Sequence, residues 1–137
     1  LSTNDATINL FAGGIQLLSA EHPYEKWANF PLAQKRFFDL LTKHSIQTPI
    51  YLSGDRHIAE VSYQEIKPNY SIYDITSSGL THSYDSLEDE PNQYRISPLL
   101  TMLNFGKIEI NWKTFELQAQ ILDADGITQF TQKIAIQ

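Results

Sequence analysis

The sequence predicts an α/β chain that leans towards α+β, with one main helix followed by a largely antiparallel run of strands. Three observations carry this. Over residues 107–136 apolar and polar residues alternate with period two: Ile108, Ile110 and Trp112 against Lys107, Glu109 and Asn111; Phe115, Leu117, Ala119 and Ile121 against Glu116, Gln118 and Gln120; Phe130, Ile134 and Ile136 against Thr131, Lys133 and Ala135. Such alternation, with turns at Lys113-Thr114 and Asp125-Gly126, describes a meander with one buried face. Upstream, Ala33, Phe37, Leu40 and Leu41 recur at helical spacing and give one apolar stripe. Between these regions the short run Ile50-Tyr51-Leu52 stops abruptly at Ser53-Gly54-Asp55, as a buried strand does at a tight turn.

Taken in order, residues 1–6 are polar and read as frayed or linker-like. Residues 8–18 are apolar but broken by Gly13-Gly14, which predicts two short strands or one strand with a bulge. Residues 19–30 read as an irregular loop anchored by Trp27. Pro31 suits the first turn of the helix, with Asn29 as its cap, while Lys43 and His44 suit the negative pole at its end. Pro49 opens the strand that ends in Ser53-Gly54-Asp55. Residues 58–66 and 70–77 read as strands joined at Lys67-Pro68-Asn69, and 79–98 as a long polar loop. About six or seven strands with a single helix make a lopsided sheet. One of its faces lacks a cover from within the chain, and a second sheet with its own helices, from a missing partner segment, would supply it.

The bulk numbers bound the function. With 137 residues the chain suffices for one modest domain, and 42% hydrophobic content argues against overall disorder. A net charge of −6 excludes a broad nucleic-acid surface, which needs a basic footprint. It leaves anionic substrates open, because a bound metal inverts the local sign. The absence of cysteine removes disulfides, zinc ribbons and thiol nucleophiles. No run of 18 apolar residues and no basic-then-apolar start is found, so neither a membrane span nor a signal peptide is expected. A chain that opens on Leu1 reads as a processed or excised piece.

The chemistry concentrates at residues 53–57. Ligand sites of open α/β sheets sit at the carboxyl ends of strands, and Gly54 permits backbone angles and close approach that a side chain would block. Asp55 offers a hard anionic oxygen and His57 an imidazole nitrogen that suits Zn, Fe or Mn. If the backbone stays extended, both point to one side and Arg56 to the other. Two donors are only part of a catalytic metal site, and no HExxH or CxxC spacing recruits His22, His44 or His82. The plainer reading is a salt-linked Asp55 beside a surface His57. Arg56 is a phosphate fork or a structural residue, and His82 lines a pocket or is a solvated loop histidine. His22 reaches the substrate side or stays in its loop. The acidic run Asp85, Glu88, Asp89 and Glu90 lacks calcium-loop spacing and reads as solvated.

The stretch Leu52-Ser53-Gly54-Asp55-Arg56-His57-Ile58-Ala59-Glu60 resembles the Ser-Gly-Asp-x-His-x-x-Glu signature of PhoD-like alkaline phosphatases, within the metallophosphatase superfamily. Gly14-Ile15-Gln16 with the segment from Glu21 to Pro31 is similar to the family's loop and helix start before that motif. Asp74-Ile75-Thr76-Ser77-Ser78-Gly79-Leu80-Thr81-His82 is similar to the strand and loop after it. The C-terminal meander is similar only in being a run of strands.

The resemblance implies a four-layer α-β-β-α sandwich and metal-dependent hydrolysis of phosphate monoesters or diesters by two cations. It marks Asp55 and His57 as metal ligands, the ions being divalent or mixed-valence Fe, Ca, Zn or Mn, with Arg56, His82 and His22 as substrate-side candidates. The family's earlier ligand segments have no match, so residues 1–137 read as a single partial domain, the C-terminal portion. One sheet and half of the metal site would then come from an N-terminal segment of the same domain. Family members are commonly exported, and a periplasmic or extracellular location follows from the resemblance alone. The competing readings are a non-enzymatic β-rich binding module and a degenerate phosphatase homologue.

Overall fold

The structure is a computed structural model and describes residues 1–136. Its elements are β1 (Asn9–Ala12), a single 3-10 turn (Trp27–Asn29), α1 (Pro31–Lys43), β2 (Pro49–Ser53), β3 (Ala59–Lys67), β4 (Tyr70–Ser77), β5 (Asn104–Asn111), β6 (Glu116–Asp123) and β7 (Thr128–Ala135). The strands form two sheets, in the orders β1-β2-β4-β3 and β5-β6-β7, and neither closes into a barrel. In the first, β1, β2 and β4 are parallel and β3 runs antiparallel to β4. The second is antiparallel throughout.

This division corrects the expectation of one uncovered sheet. Alternation reports that each strand buries one face; it carries no information about which strand lies beside it. Ile50, Val61 and Ile75 of the first sheet belong to one apolar core with Leu117, Ile121 and Ile134 of the second. The meander is therefore the cover, and parts of both sheets lie within this chain. On the opposite face of the first sheet, Tyr51 and Ile72 pack with Leu17, Leu18, Leu41 and Ile46. Three layers result: helix, four-stranded sheet, three-stranded sheet. Burying each such Leu or Ile contributes about 1.5–3 kcal/mol.

Two local expectations change as well. The cap of α1 is Phe30, without a side-chain hydrogen bond, and Pro31 stands in its first turn. Asn29 falls inside the preceding 3-10 turn, whose own backbone bond, Phe30 N–H to the Trp27 carbonyl at 2.8 Å, leads the chain into the helix. Strand β1 ends at Ala12 with no second strand after the glycines. A Cβ on Gly13 would lie 1.9 Å from the Tyr51 hydroxyl, so glycine here serves close approach. That hydroxyl accepts a hydrogen bond from Trp27 Nε1 at 2.9 Å.

Residues 17 and 18 turn inward because a buried carboxylate receives their backbone. Asp74 on β4 is 1% exposed. Its Oδ2 accepts the N–H groups of Leu17 and Leu18 at 2.7 and 2.9 Å, and its Oδ1 accepts the Ser53 hydroxyl at 2.7 Å. Ser53 and Thr76 are partners across β2 and β4, with hydroxyls 2.8 Å apart. Gln16 Nε2 donates to Thr76 at 2.9 Å and to Glu60 on β3 at 2.7 Å. Glu60 also accepts from Asn92 at 2.8 Å and from Arg95 at 2.5 Å. This polar row crosses the helix-side face of the first sheet.

Burial pushes the Asp74 carboxyl up to about 6, against the opposing pull of its hydrogen bonds to Leu18, Ser53 and Leu17. His22, 2% exposed, moves the other way, to about 4, through burial first and then the charges of Arg56 and Lys26. The Tyr24 N–H donates to His22 Nδ1 at 3.2 Å, which leaves the proton of the neutral ring on Nε2.

Two measurable consequences follow from these groups. Asp74→Ala strands two buried backbone N–H groups and should cost about 3 kcal/mol in urea unfolding, whereas Asp74→Asn, which keeps an acceptor, should cost about 1 kcal/mol or less. The raised Asp74 favours folding below pH 3.8 and loses that contribution as pH rises through about 6. The depressed His22 favours folding above pH 6.5 and loses its contribution as pH falls towards about 4. Between pH 4 and 6 the two slopes oppose. Relative to wild type, Asp74→Asn should gain stability as pH rises through this window, by on the order of 2 kcal/mol. His22→Gln should lose stability over the same rise. Unfolding midpoints that run parallel to wild type across pH 4–7 would refute this assignment.

Candidate functional site

Strand β2 delivers the chain to the site. Ser53, its last residue, is held by Asp74 and Thr76, and the backbone then bends through residues 54–58 before β3 begins at Ala59. The extended geometry expected at residues 55–57 does not occur. Asp55 and His57 both adopt left-handed backbone angles, φ 67° and 54°, each costing on the order of 1 kcal/mol. Asp and His are among the non-glycine residues that visit this region most readily. Gly54 has no such angle, and a Cβ there would meet nothing nearer than 3.7 Å. The turn therefore places its conformational demand on the two chemistry-bearing residues and spares the glycine.

A small cleft of about 150 Å³ opens at this bend, lined by Tyr24, Asp55, Arg56, His57 and Tyr84. Asp55 is exposed and His57 half-buried. His82 lies at the same place, its ring edge-on to His57 with centroids 4.9 Å apart. The 78–87 loop is fastened to the bend by backbone bonds. The Tyr84 N–H donates to the His57 carbonyl at 2.8 Å and the Ser78 N–H to the Ile58 carbonyl at 3.1 Å. Tyr24 and Tyr84 share a hydrogen bond that, with the neighbouring Tyr84 charge, raises the Tyr24 phenol above its ordinary value.

Arg56 lies inward. It is 7% exposed, its Nη2 donates to both carboxylate oxygens of Glu90 at 2.6 Å, and its guanidinium carbon lies 4.5 Å from the centre of the Tyr24 ring. Glu90 is 5% exposed, so the solvated acidic run expected around it ends one residue earlier, at Asp89. His22 is buried beside this region, its ring 6.0 Å from that of Tyr24. His44 caps α1, its N–H donating to the Leu40 carbonyl at 3.1 Å, and is not among the residues that line the cleft.

Sequence reasoning brought Asp55, His57 and His82 to one locale and missed the residues that frame it. Tyr24 and Tyr84 carried no spacing signal. Glu90 is 34 residues from Arg56 in the chain, a pairing that only the tertiary fold creates. Glu60 and Asp74 stood inside the family-like segments as unassigned matches; both are buried structural carboxylates.

The donors at the cleft, a carboxylate and two imidazoles, are of kinds that hold transition and divalent metals. Among the described residues, however, no three His, Cys, Asp or Glu side chains converge closely enough to hold an ion by themselves.

No protein-family model matches the chain, and no curated protein matches it. Among solved structures, the one titled "Structure of PhoD" superposes with a TM-score of 0.71 at 11% identity, covering 98% of this chain and 29% of that one. The chain thus spans under a third of the structure it matches. At that identity the likeness is one of fold: a mixed α/β architecture matching a portion of PhoD.

Proposed function

We propose that this chain is the downstream part of a metal-dependent phosphoester hydrolase and that Asp55 and His57 are two of its metal ligands. The observation that carries the reading is the strained strand tip of a PhoD-like fold, at which a carboxylate and an imidazole line the same cleft. A cation held there would neutralise phosphoryl charge and acidify water. The chain's own contribution is positional. Asp55 and His57 present donors from a bend fixed by Ser53 on one side and by Tyr84 on the other. His82, against the His57 ring, borders the space a phosphoryl group would take. Tyr24 and Tyr84 form a wall for the organic part of the ester.

The same reading assigns the remaining ligands to an N-terminal segment of the domain. A periplasmic or extracellular location belongs to the same reading and rests on the PhoD likeness alone.

In the protein that includes that segment, Asp55→Ala and His57→Ala should each lower bound metal, measured by elemental analysis. Each should also lower kcat/KM for p-nitrophenyl phosphate or its bis ester by at least about 100-fold. The better of the two substrates reports ester class. Unchanged turnover in the Asp55→Ala, His57→Ala double variant would remove the site assignment.

A further inference from the structure

The 54–58 bend holds two residues in left-handed conformations with an inward-pointing arginine between them. Such a segment persists only where its surroundings over-determine it. Backbone bonds from Ser78 and Tyr84 reach the carbonyls of Ile58 and His57, but both donors come from a long loop. The only side chain of the bend that is driven into the protein as a charge is Arg56. It is met by both oxygens of Glu90 at 2.6 Å and covered by the Tyr24 ring at 4.5 Å.

Glu90 is in turn tied to the sheet. Its carbonyl accepts Arg95 Nη2 at 2.6 Å, and the Nε of the same arginine donates to Glu60 at 2.5 Å. Glu60 is fully buried on β3. An unbroken line of charge-assisted bonds therefore runs from the sheet through Arg95 and Glu90 to the residue between Asp55 and His57. Removing the carboxylate charge would leave Arg56 buried with a weakened partner, and the simplest relief is rotation of the bend towards solvent.

We propose that Glu90 and Arg56 are a positioning pair that locks the strand tip, so that Asp55 and His57 face one cleft before any ligand arrives. The inference deepens the metal-site reading above and rests on it for its functional meaning. Neither residue need touch metal or substrate: the pair acts through the backbone it holds, as residues behind metal ligands do in well-supported sites.

The test uses the protein that includes the N-terminal segment, as wild type and as two conservative variants, Glu90→Gln and Arg56→Lys, with hydrogen exchange and Mn2+ binding read on the same samples. Exchange at the Tyr84 and Ser78 amides, which bond to the bend, should quicken by about tenfold or more in both variants, while amides of β6 stay within about threefold of wild type. Equal acceleration at β6 would reduce the pair to general stabilisation and overturn the proposal, as would unchanged exchange at Tyr84 and Ser78. Mn2+ affinity should fall by about 10- to 100-fold, and equal affinity in wild type and variants would also overturn it. A wild-type protein with that segment present that takes up no Mn2+ would count against the metal reading, and the exchange data would still decide whether the pair holds the bend.

Discussion

Glu60 is the point on which the arrangement turns. A fully buried carboxylate is tolerated only when its oxygens are matched by donors, and here those donors come from two separate stretches of chain. Gln16 arrives from the segment after β1, while Asn92 and Arg95 come from the long connection between the sheets. Satisfying one side chain on β3 thereby fixes the path of two irregular segments. Asp74 does the same for residues 17 and 18 through their backbone. The helix-side face of the first sheet is held by a paired polar row in its middle and by an apolar core around α1.

The two layers flanking the first sheet differ in kind. Towards β5–β7 the contact is aliphatic and strand-on-strand, and it sets which face of each strand is buried. Towards α1 the contact mixes aromatic packing with charge. The candidate site grows from the second kind. Its residues follow the strand end that Ser53 anchors, and the loops bounding the cleft are those the polar row constrains. The metal-ligand candidates are thus coupled to the sheet by hydrogen bonds of fixed direction, whereas apolar contacts alone would leave the bend free to slide.

Much of the fold was legible. The period of the meander, the helical stripe and the strand running into Ser53 all report burial of one face, which is what periodicity encodes. Strand neighbours were not legible, so two sheets were read as one. The cap at Asn29 failed because a preceding turn already satisfied the helix entrance. At the site, the family-like segments located Asp55, His57 and His82 in one neighbourhood. Chain alternation misjudged their backbone, because two positive φ angles at Asp and His have no one-dimensional signature. Arg56 offered two roles in sequence, and the structure buries it against Glu90 at the edge of the cleft. Glu90 itself, inside an acidic run, looked like its solvated neighbours, since charge pairing across 34 residues is invisible without the fold.

The missing Cβ at residue 13 has a wider bearing. The space it leaves is filled by the phenol of Tyr51, which reaches through to the indole of Trp27. Any larger side chain at position 13 would evict that phenol and unhitch the indole. Tolerance to substitution is therefore uneven along the first thirty residues. An unremarkable pair of glycines contains one position that admits almost nothing and, next to it, Gly14, around which a side chain would find open space.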